Sequence, residues 1–441
     1  MVIDEHLETT VKAHDQLLHR RVDLLLRTGK LLVESLADTN RIVRNMKRTA
    51  AYLGIPEEKL HINVSFTMLM VNVSDGDYSF TKFQRIEGHG VNMTAISEVS
   101  KLSWRAIEND YTLDQYEEEL EKIRTRKRNY TPWQVAIGAG FACGGFCIQF
   151  GCDWMAFLYA SIAAIIGMRV RAKCNESGLN HYMGIAISAF IATMLAWAST
   201  STPWHPLLAC ALFIVPGVPL INFVDDMLDN YIQVGIVRAV NTLLMVSAMA
   251  FGIAFAVKLC SIGDFFPTIS MVPHHNYLEY AIAAAISAMG FSMIFNIQRR
   301  LLWVVAIGGI IAVCTRNFVN LGPSTNNIGL DMGLVIGSFS GSVLVPNHVL
   351  TIPSVIPMIP GVLMYRMLFG LINMNVQSID QVTPLMKAIE SGVNSGLVIM
   401  CIALGVAIPN IFGRKYIASS KNKRLAEILK ERKARGKFVE W

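Results

Sequence analysis

Between residues 131 and 413 ionisable side chains are scarce, and several gather around two proline-glycine pairs. The run "IVPGVPLIN" (214–222) holds Pro216 and Gly217 and ends on Asn222. The pair recurs 144 residues later as Pro360 and Gly361 in "MIPGVLMYR" (358–366), which ends on Arg366. Downstream of the first pair, "INFVDDMLDNYIQVGIVR" (221–238) brings Asp225, Asp226, Asp229 and Arg238 together. Asp225 and Asp229 are one helical turn apart and share a face if the stretch is helical. Carboxylates beside an apolar medium can exchange protons, which makes Asp225 and Asp226 candidates for a protonatable coupling site. Asp229 and Arg238 would complete an ion-pair cluster, and a solvated loop is the alternative. The Arg366 guanidinium could grip a carboxylate with two parallel hydrogen bonds, or snorkel to an interface. Asp331, with Asn326 and Asn327 shortly before it, opens an apolar run where a carboxylate favours a helix N-terminus.

A proline inside a helix removes a backbone donor and clashes with the carbonyl one turn earlier. In a bilayer, carbonyls freed in this way are tolerated only in contact with protein or with a watery cavity. Unwound backbone and half-helix ends then offer dipoles to a charged solute. Pro216, Gly217, Asn222, Pro360, Gly361 and Arg366 therefore form the candidate substrate-binding set. Asp225, Asp226, Asp229, Arg238 and Asp331 form the candidate proton-coupling or ion-pair set. A structural kink at each proline is the plainer reading.

The elements that must carry these residues are apolar. The chain is 53% hydrophobic and 16% charged, with mean hydropathy +0.41, where a soluble domain has nearer a quarter charged residues. Charge is concentrated before residue 130 and after residue 414. A polar N-terminal domain (1–130), a first membrane segment (131–260), a second (261–413) and a basic tail (414–441) follow. No short apolar signal peptide opens the sequence, so the N-terminal domain is expected on the cytoplasmic side. The tail's excess of Lys and Arg suggests either contact with anionic headgroups or simple solvation. All eight cysteines lie in the apolar part. Cys143 and Cys147 share a helical face, a spacing better explained by burial than by metal.

About 20 apolar residues cross a bilayer. Ten candidate spans occupy 133–150, 154–168, 182–198, 207–224 and 237–259, then 277–297, 301–315, 328–345, 349–371 and 392–412. With ten spans, Arg124 to Arg128, Arg169 to Lys173, Arg299, Arg300 and the tail fall on one side, which the positive-inside rule assigns to the cytoplasm. The pairs Asn241/Asn394, Leu244/Leu397, Ala250/Ala403, Gly252/Gly405 and Ala254/Ala407 match at one offset in the fifth and tenth spans. Five spans per unit is an odd number, so the second copy must enter from the opposite face. Inverted repeats with interrupted helices at matching positions mark many secondary transporters. Gly140 and Gly144 in the first span permit close helix contact. Neither feature fixes the oligomeric state, and a homo-oligomer stays open.

In the N-terminal domain, Leu18, Val22, Leu25, Gly29, Leu32 and Leu36 predict an amphipathic helix continuing to Gly54 and Pro56. "HINVSFTMLMVNVS" (61–74) predicts one strand and "YSFTKFQRI" its hairpin partner. A further helix is expected over 93–107, and Thr112 to Gln115 reads as a capping box. This α+β domain holds no P-loop, HExxH or GxSxG sequence. ATP-driven pumping is unsupported, no cofactor is called for, and nothing points to nucleic acid. His89 in "EGHG" is best read as a turn residue.

Several of these runs together resemble the threonine/serine exporter family (ThrE type). They are "LLVESLADTNRIVRNMKRTAAYLGI", "HINVSFTMLMV", "FIVPGVPLINFVDDMLDN" with "GIVR", and "VIPMIPGVLMYR". The chain departs from the family where "VESLADTNRIV" replaces a small-residue run. The resemblance implies a cytoplasmic domain before about ten spans, and proton-driven export of threonine or serine. Split relatives are associated with succinate, so a C4-dicarboxylate is the rival solute. A passive channel and a membrane-embedded enzyme are the remaining classes, and the sequence holds no nucleophile-base pair for the latter.

Overall fold

In the computed structural model, the described residues are 2–74, 78–197, 204–260, 276–321, 330–344, 348–359, 361–372 and 382–434. The chain forms two compact units. One is Met1–Lys127 with Asp226–Val237 and Arg414–Trp441; the other is Arg128–Asp225 with Arg238–Gly413.

In the first unit, α1 (Val2–Glu34) and α2 (Thr39–Tyr52) replace the single helix expected through this region. Leu36 has φ 61°. Leu36 N donates to Val33 O at 3.0 Å and Ala37 N to Leu32 O at 3.1 Å, which satisfies the last carbonyls of α1. Asp38 then caps α2, accepting from Arg41 N at 2.8 Å. The apolar stripe of α1 is buried as its spacing requires, with Val22, Leu25 and Leu32 wholly inaccessible.

The run 61–74 also breaks once more than expected. The strands β1 (Leu60–Val64), β2 (Met68–Ser74) and β3 (Ser79–Arg85) form an antiparallel meander in that order. The extra turn is held by Ser65, whose N donates to Met68 O at 2.9 Å and whose Oγ accepts from Met68 N at 3.0 Å. Leu69, Val71 and Val73 alternate into the core. Beyond the sheet come α3 (Met93–Glu108) and α4 (Leu113–Thr125). Thr112 and Gln115 make both bonds of a capping box before α4. His89 stacks on Phe66 with centroids 3.9 Å apart.

The second unit is helical. Its elements run α5 (Pro132–Gln149), α6 (Trp154–Glu176), α7 (His181–Ala196), α8 (Trp204–Ala209), α9 (Gly217–Leu228) and α10 (Ile232–Leu259). They continue as α11 (Tyr277–Ile294), α12 (Leu302–Leu321), α13 (Leu330–Leu344), α14 (His348–Val355), α15 (Gly361–Ile372) and α16 (Val382–Ala434). The C-terminal ends of α9 and α16 and the first residues of α10 belong to the first unit.

Five helices are long and apolar enough to cross a membrane among the described residues, or up to seven if each of two bent pairs counts once. His181–Ala196 and Gly333–Val343 are shorter apolar helices. Phe251, Phe255, Trp303 and Phe318 are more than half exposed, an outward apolar surface that suits lipid. The chain is a mostly helical membrane protein with a small three-stranded sheet near its N-terminus. Several helices outrun their expected ends: α6 continues past 168 to Glu176, α9 past 224 to Leu228, α16 past 412 to Ala434, and α12 past 315 to Leu321, which takes Arg316 into the helix.

One order of contacts occurs twice. α5 packs on α6, α6 on α7 and α7 on α8; α11 packs on α12, α12 on α13 and α13 on α14. The leading helices α5 and α11 meet through glycines. A Cβ on Gly145 would press on Ala283 O and Ser287, and one on Gly290 on Gly138 O and Ala142 N. Residues 283, 287 and 290 stand 145 positions after 138, 142 and 145, so the two contacts are one pattern with its partners exchanged. Ser287 Oγ donates to Ala142 O across the same seam at 3.1 Å.

Candidate functional site

Each apolar helix carrying a proline-glycine pair is bent by 60° at that pair. Before the first bend, the 3-10 turn Leu212–Ile214 closes with Val215 N donating to Leu212 O at 3.0 Å, and Gly217 N donates to Val215 O at 2.8 Å. Before the second, the 3-10 turn Ile356–Met358 closes with Ile359 N donating to Ile356 O at 2.9 Å. Gly361 N then donates to Ile359 O at 2.8 Å. The two backbones follow one path. Pro216 immediately precedes α9 and its O accepts from Leu220 N at 2.9 Å, so its missing N–H interrupts no bond of that helix; Pro360 lies outside the described residues.

The bends also touch each other. A Cβ on Gly217 would sit 3.0 Å from both Ile356 Cδ1 and Ile359 Cδ1, and one on Gly361 2.5 Å from Leu212 Cδ2. Leu212 and Ile356 occupy matching positions in their turns, so each glycine receives the other turn's leading side chain. Both side chains are almost wholly buried. A larger residue at either glycine would force the turns apart.

Polar groups lie further along the two post-break helices. Asn222 in α9 is buried. Arg366 in α15 is half-buried, and its Nε has no hydrogen-bond partner among the described residues. Beside it, Tyr365 is fully buried, with its hydroxyl 2.9 Å from Met249 Sδ in α10. Asp225 and Arg238 are both buried in this unit.

Asp226 and Asp229 belong to the first unit, and their partners are on α2. Asp226 Oδ1 accepts from Thr39 N at 2.9 Å, and Asp229 Oδ2 from Asn40 Nδ2 at 2.8 Å. Thr39 opens α2, so its N–H is one of the donors a helix leaves unsatisfied at its start. The helix dipole adds to the attraction for a carboxylate. Burial pushes the Tyr231 hydroxyl up from its ordinary range, while Lys47 and Arg44 of α2 act against the shift. The acidic link between α9 and α10 thus lies against the N-terminal, basic part of α2.

The remaining candidates are more dispersed. Asp331 sits in the first turn of α13, its side chain outside the described residues along with Asn326 and Asn327. Cys143 Sγ donates to Cys210 O at 3.7 Å, which accounts for it as a buried helix contact. No cluster of three metal-ligating side chains occurs among the described residues. Reading by spacing passed over Thr39 and Asn40, although "LADTN" carries the signal of a helix N-cap. It also placed Arg316 beyond the seventh span rather than within α12.

The family model described as "Putative threonine/serine exporter" matches residues 23–260, more than half of the chain. A second, "Threonine/Serine exporter, ThrE", matches residues 280–412. The chain is 24% identical over 242 residues to proteins of Klebsiella aerogenes and Escherichia coli, each named "Probable succinate transporter subunit YjjP". The alignments cover 54% of this chain and 92% and 93% of those proteins. It is 22% identical over 382 residues to the "Threonine/serine exporter" of Corynebacterium glutamicum, covering 80% of this chain and 76% of that one. No solved structure matches. With one model covering most of the N-terminal region and the first break, and another the second break, the chain belongs to the threonine/serine exporter family.

Proposed function

We propose that the chain is a proton-coupled secondary exporter of threonine and serine in the cell membrane. In this reading ten spans form two inverted five-span halves, 131–260 and 261–413. The domain 1–130 and the tail 414–441 lie in the cytoplasm. The observation that carries the reading is the reciprocal packing of the two 60° bends, Gly217 against Ile356 and Gly361 against Leu212. Exchange of partners between matching positions is what a pseudo-twofold axis between inverted halves produces. Rocking one half against the other would separate or close the two turns, giving alternating access at the breaks. Pro216, Gly217, Asn222, Pro360, Gly361 and Arg366 would receive the solute, with Arg366 taking its carboxylate. Asp225, with Arg238 nearby in sequence and Asp331 in the other half, is the leading candidate to carry the proton. Asp226 and Asp229 are then available to hold the link to α2.

Export of a C4-dicarboxylate is the second reading, favoured by the names of the Klebsiella and Escherichia relatives. The purified chain in liposomes, loaded with labelled threonine, serine or succinate and given a pH gradient, decides between them. Uphill loss of threonine and serine that collapses with the gradient is expected. Flux of succinate alone selects the second reading, and downhill leakage indifferent to pH makes the protein a channel.

A further inference from the structure

Two arginines lie at the ends of apolar helices, and neither has a carboxylate partner among the described residues. Arg171 in α6 and Arg316 in α12 are each half-buried, and neither makes an ion pair among the described residues. Arg316 donates through Nε and Nη2 to Asn317 Oδ1, at 3.0 and 2.8 Å. That acceptor is neutral, and no carboxylate pairs with Arg316 among the described residues. Nearby Arg169 is different, since its guanidinium rests 4.8 Å from the centre of the Trp133 ring. A cation at the edge of an apolar span is paired, used, or extended to the interface.

The two arginines occupy one position in the repeated architecture. "IAAIIGMRVR" (162–171) and "IGGIIAVCTR" (307–316) align without a gap at a spacing of 145 residues, with Ile at three places and Arg at the last. Packing independently supports this alignment. A Cβ on Gly167 would meet Ala192 Cβ at 2.9 Å, and one on Gly337 would meet Ala312 O at 2.6 Å. Residues 312 and 337 stand 145 positions after 167 and 192, the spacing already seen between α5 and α11. Gly337 also stands beside Arg316, its Cβ position 3.2 Å from Arg316 Cβ and N, so no side chain of that residue covers the base of the arginine.

We propose that Arg171 and Arg316 are paired recognition points for the carboxylate of the solute, one at each mouth of the pathway. The proposal rests on the inverted halves of the export reading, in which equivalent positions lie at opposite faces. The basic cluster around Arg171 puts it at the cytoplasmic mouth, and Arg316 is then at the outer one. A planar guanidinium presents two parallel donors that match a carboxylate. Being half-buried and bound to no fixed anion among the described residues, each can capture the carboxylate from water and give it up again. Arg366, beyond the second break, would receive it between them.

The test uses the full chain in liposomes of known sidedness, with initial threonine flux measured against concentration supplied at one face or the other. Arg171→Gln is expected to raise the half-saturating concentration about ten- to a hundredfold for threonine offered at the cytoplasmic face, with the outer face unchanged. Arg316→Gln should give the mirror result. Arg171→Lys and Arg316→Lys, which keep the charge and lose the fork, should fall between and carry the test if a glutamine variant fails to fold. Threoninamide, which lacks the carboxylate, should compete equally well against wild type and variants. Unchanged half-saturation at both faces with normal wild-type flux overturns this assignment alone, and so does a rise shared equally by both faces. A lowered maximal rate or scrambled insertion at unchanged half-saturation makes the arginines topological anchors only. A wild-type chain that moves neither threonine, serine nor succinate brings down the export reading first, and this inference with it.

Discussion

Asp226 has two competing uses, and its hydrogen bond separates them. Thr39 and Asp226 are both buried, and the Thr39 N–H has Asp226 Oδ1 as its acceptor. Asp226→Ala leaves that donor unsatisfied, which costs about 1–3 kcal/mol, visible as a lowered melting temperature of the full chain in detergent. Asp226→Asn retains an acceptor and should recover most of this loss. If pH-driven flux also survives in the asparagine variant, Asp226 serves as an anchor; if flux disappears while melting is normal, it carries the proton. Glu34 gives a pH signature within the same unit. Burial raises its carboxyl above the ordinary glutamate range, with Lys30, 3.6 Å away, opposing the shift. The folded state therefore holds the proton to higher pH than the unfolded chain does. Stability should fall as pH rises from the usual glutamate range through the elevated value. Glu34→Gln should flatten that decline, and an identical pH profile in the variant would show that Glu34 does not contribute to it.

At the scale of elements, the reciprocal bends make a prediction about pairs. Gly361→Ala puts a methyl against Leu212, and Gly217→Ala puts one against Ile356. Each single change should slow transport and lower stability by about 1–3 kcal/mol through overpacking. Leu212→Ala should relieve Gly361→Ala, and Ile356→Ala should relieve Gly217→Ala, while the crossed combinations should not. Additive losses in every combination would mean the turns do not meet as described. The position of these bends was legible because proline and glycine act on their own backbone, and a matching pair stands out in an apolar run. The core face of α1 and the cap of α4 were legible for the same reason, since their signals lie within a few residues. Other features gave no such local sign. Leu36 at φ 61° is an unexpected residue for a left-handed position, so one helix was read where two exist. "SFT" (65–67) holds no Gly, Pro, Asn or Asp, and Ser65 alone is a weak turn signal inside an alternating apolar run, which hid the hairpin between β1 and β2. The partner of Asp226 lies 187 residues away, beyond the reach of any periodicity.

For the whole molecule, the chain returns twice to the unit it begins with, through the link after α9 and through the tail of α16. The tail's basic composition suggested headgroups or solvent, yet two of its arginines have protein partners. Arg432 is buried; its Nε is 2.7 Å from Asp110 Oδ1, its Nη1 donates to Tyr52 O at 3.3 Å, and its guanidinium lies over the Tyr52 ring. Arg424 is 2.7 Å from Glu108, with its side chain 64% exposed. Distance alone would rank these pairs equal, and burial separates them. An exposed pair contributes about 0–1 kcal/mol, whereas removing one member of a buried pair costs about 3–5 kcal/mol because the other charge is stranded. Arg432 and Asp110 retain some exposure, 10% and 18% of their side chains, so about 2 kcal/mol is the expected loss for Arg432→Ala. Arg424→Ala should be nearly silent. Limited proteolysis of the full chain reads the difference directly, with rapid cleavage after residue 414 in Arg432→Ala and wild-type protection in Arg424→Ala. High salt should leave the wild-type tail protected, because a partly buried pair is screened far less than an exposed one. Equal protection in both variants would mean that apolar contacts hold the tail. Cleavage of the wild-type tail at high salt would mean that exposed charges hold it, and Arg432 would then have no special place in the clasp.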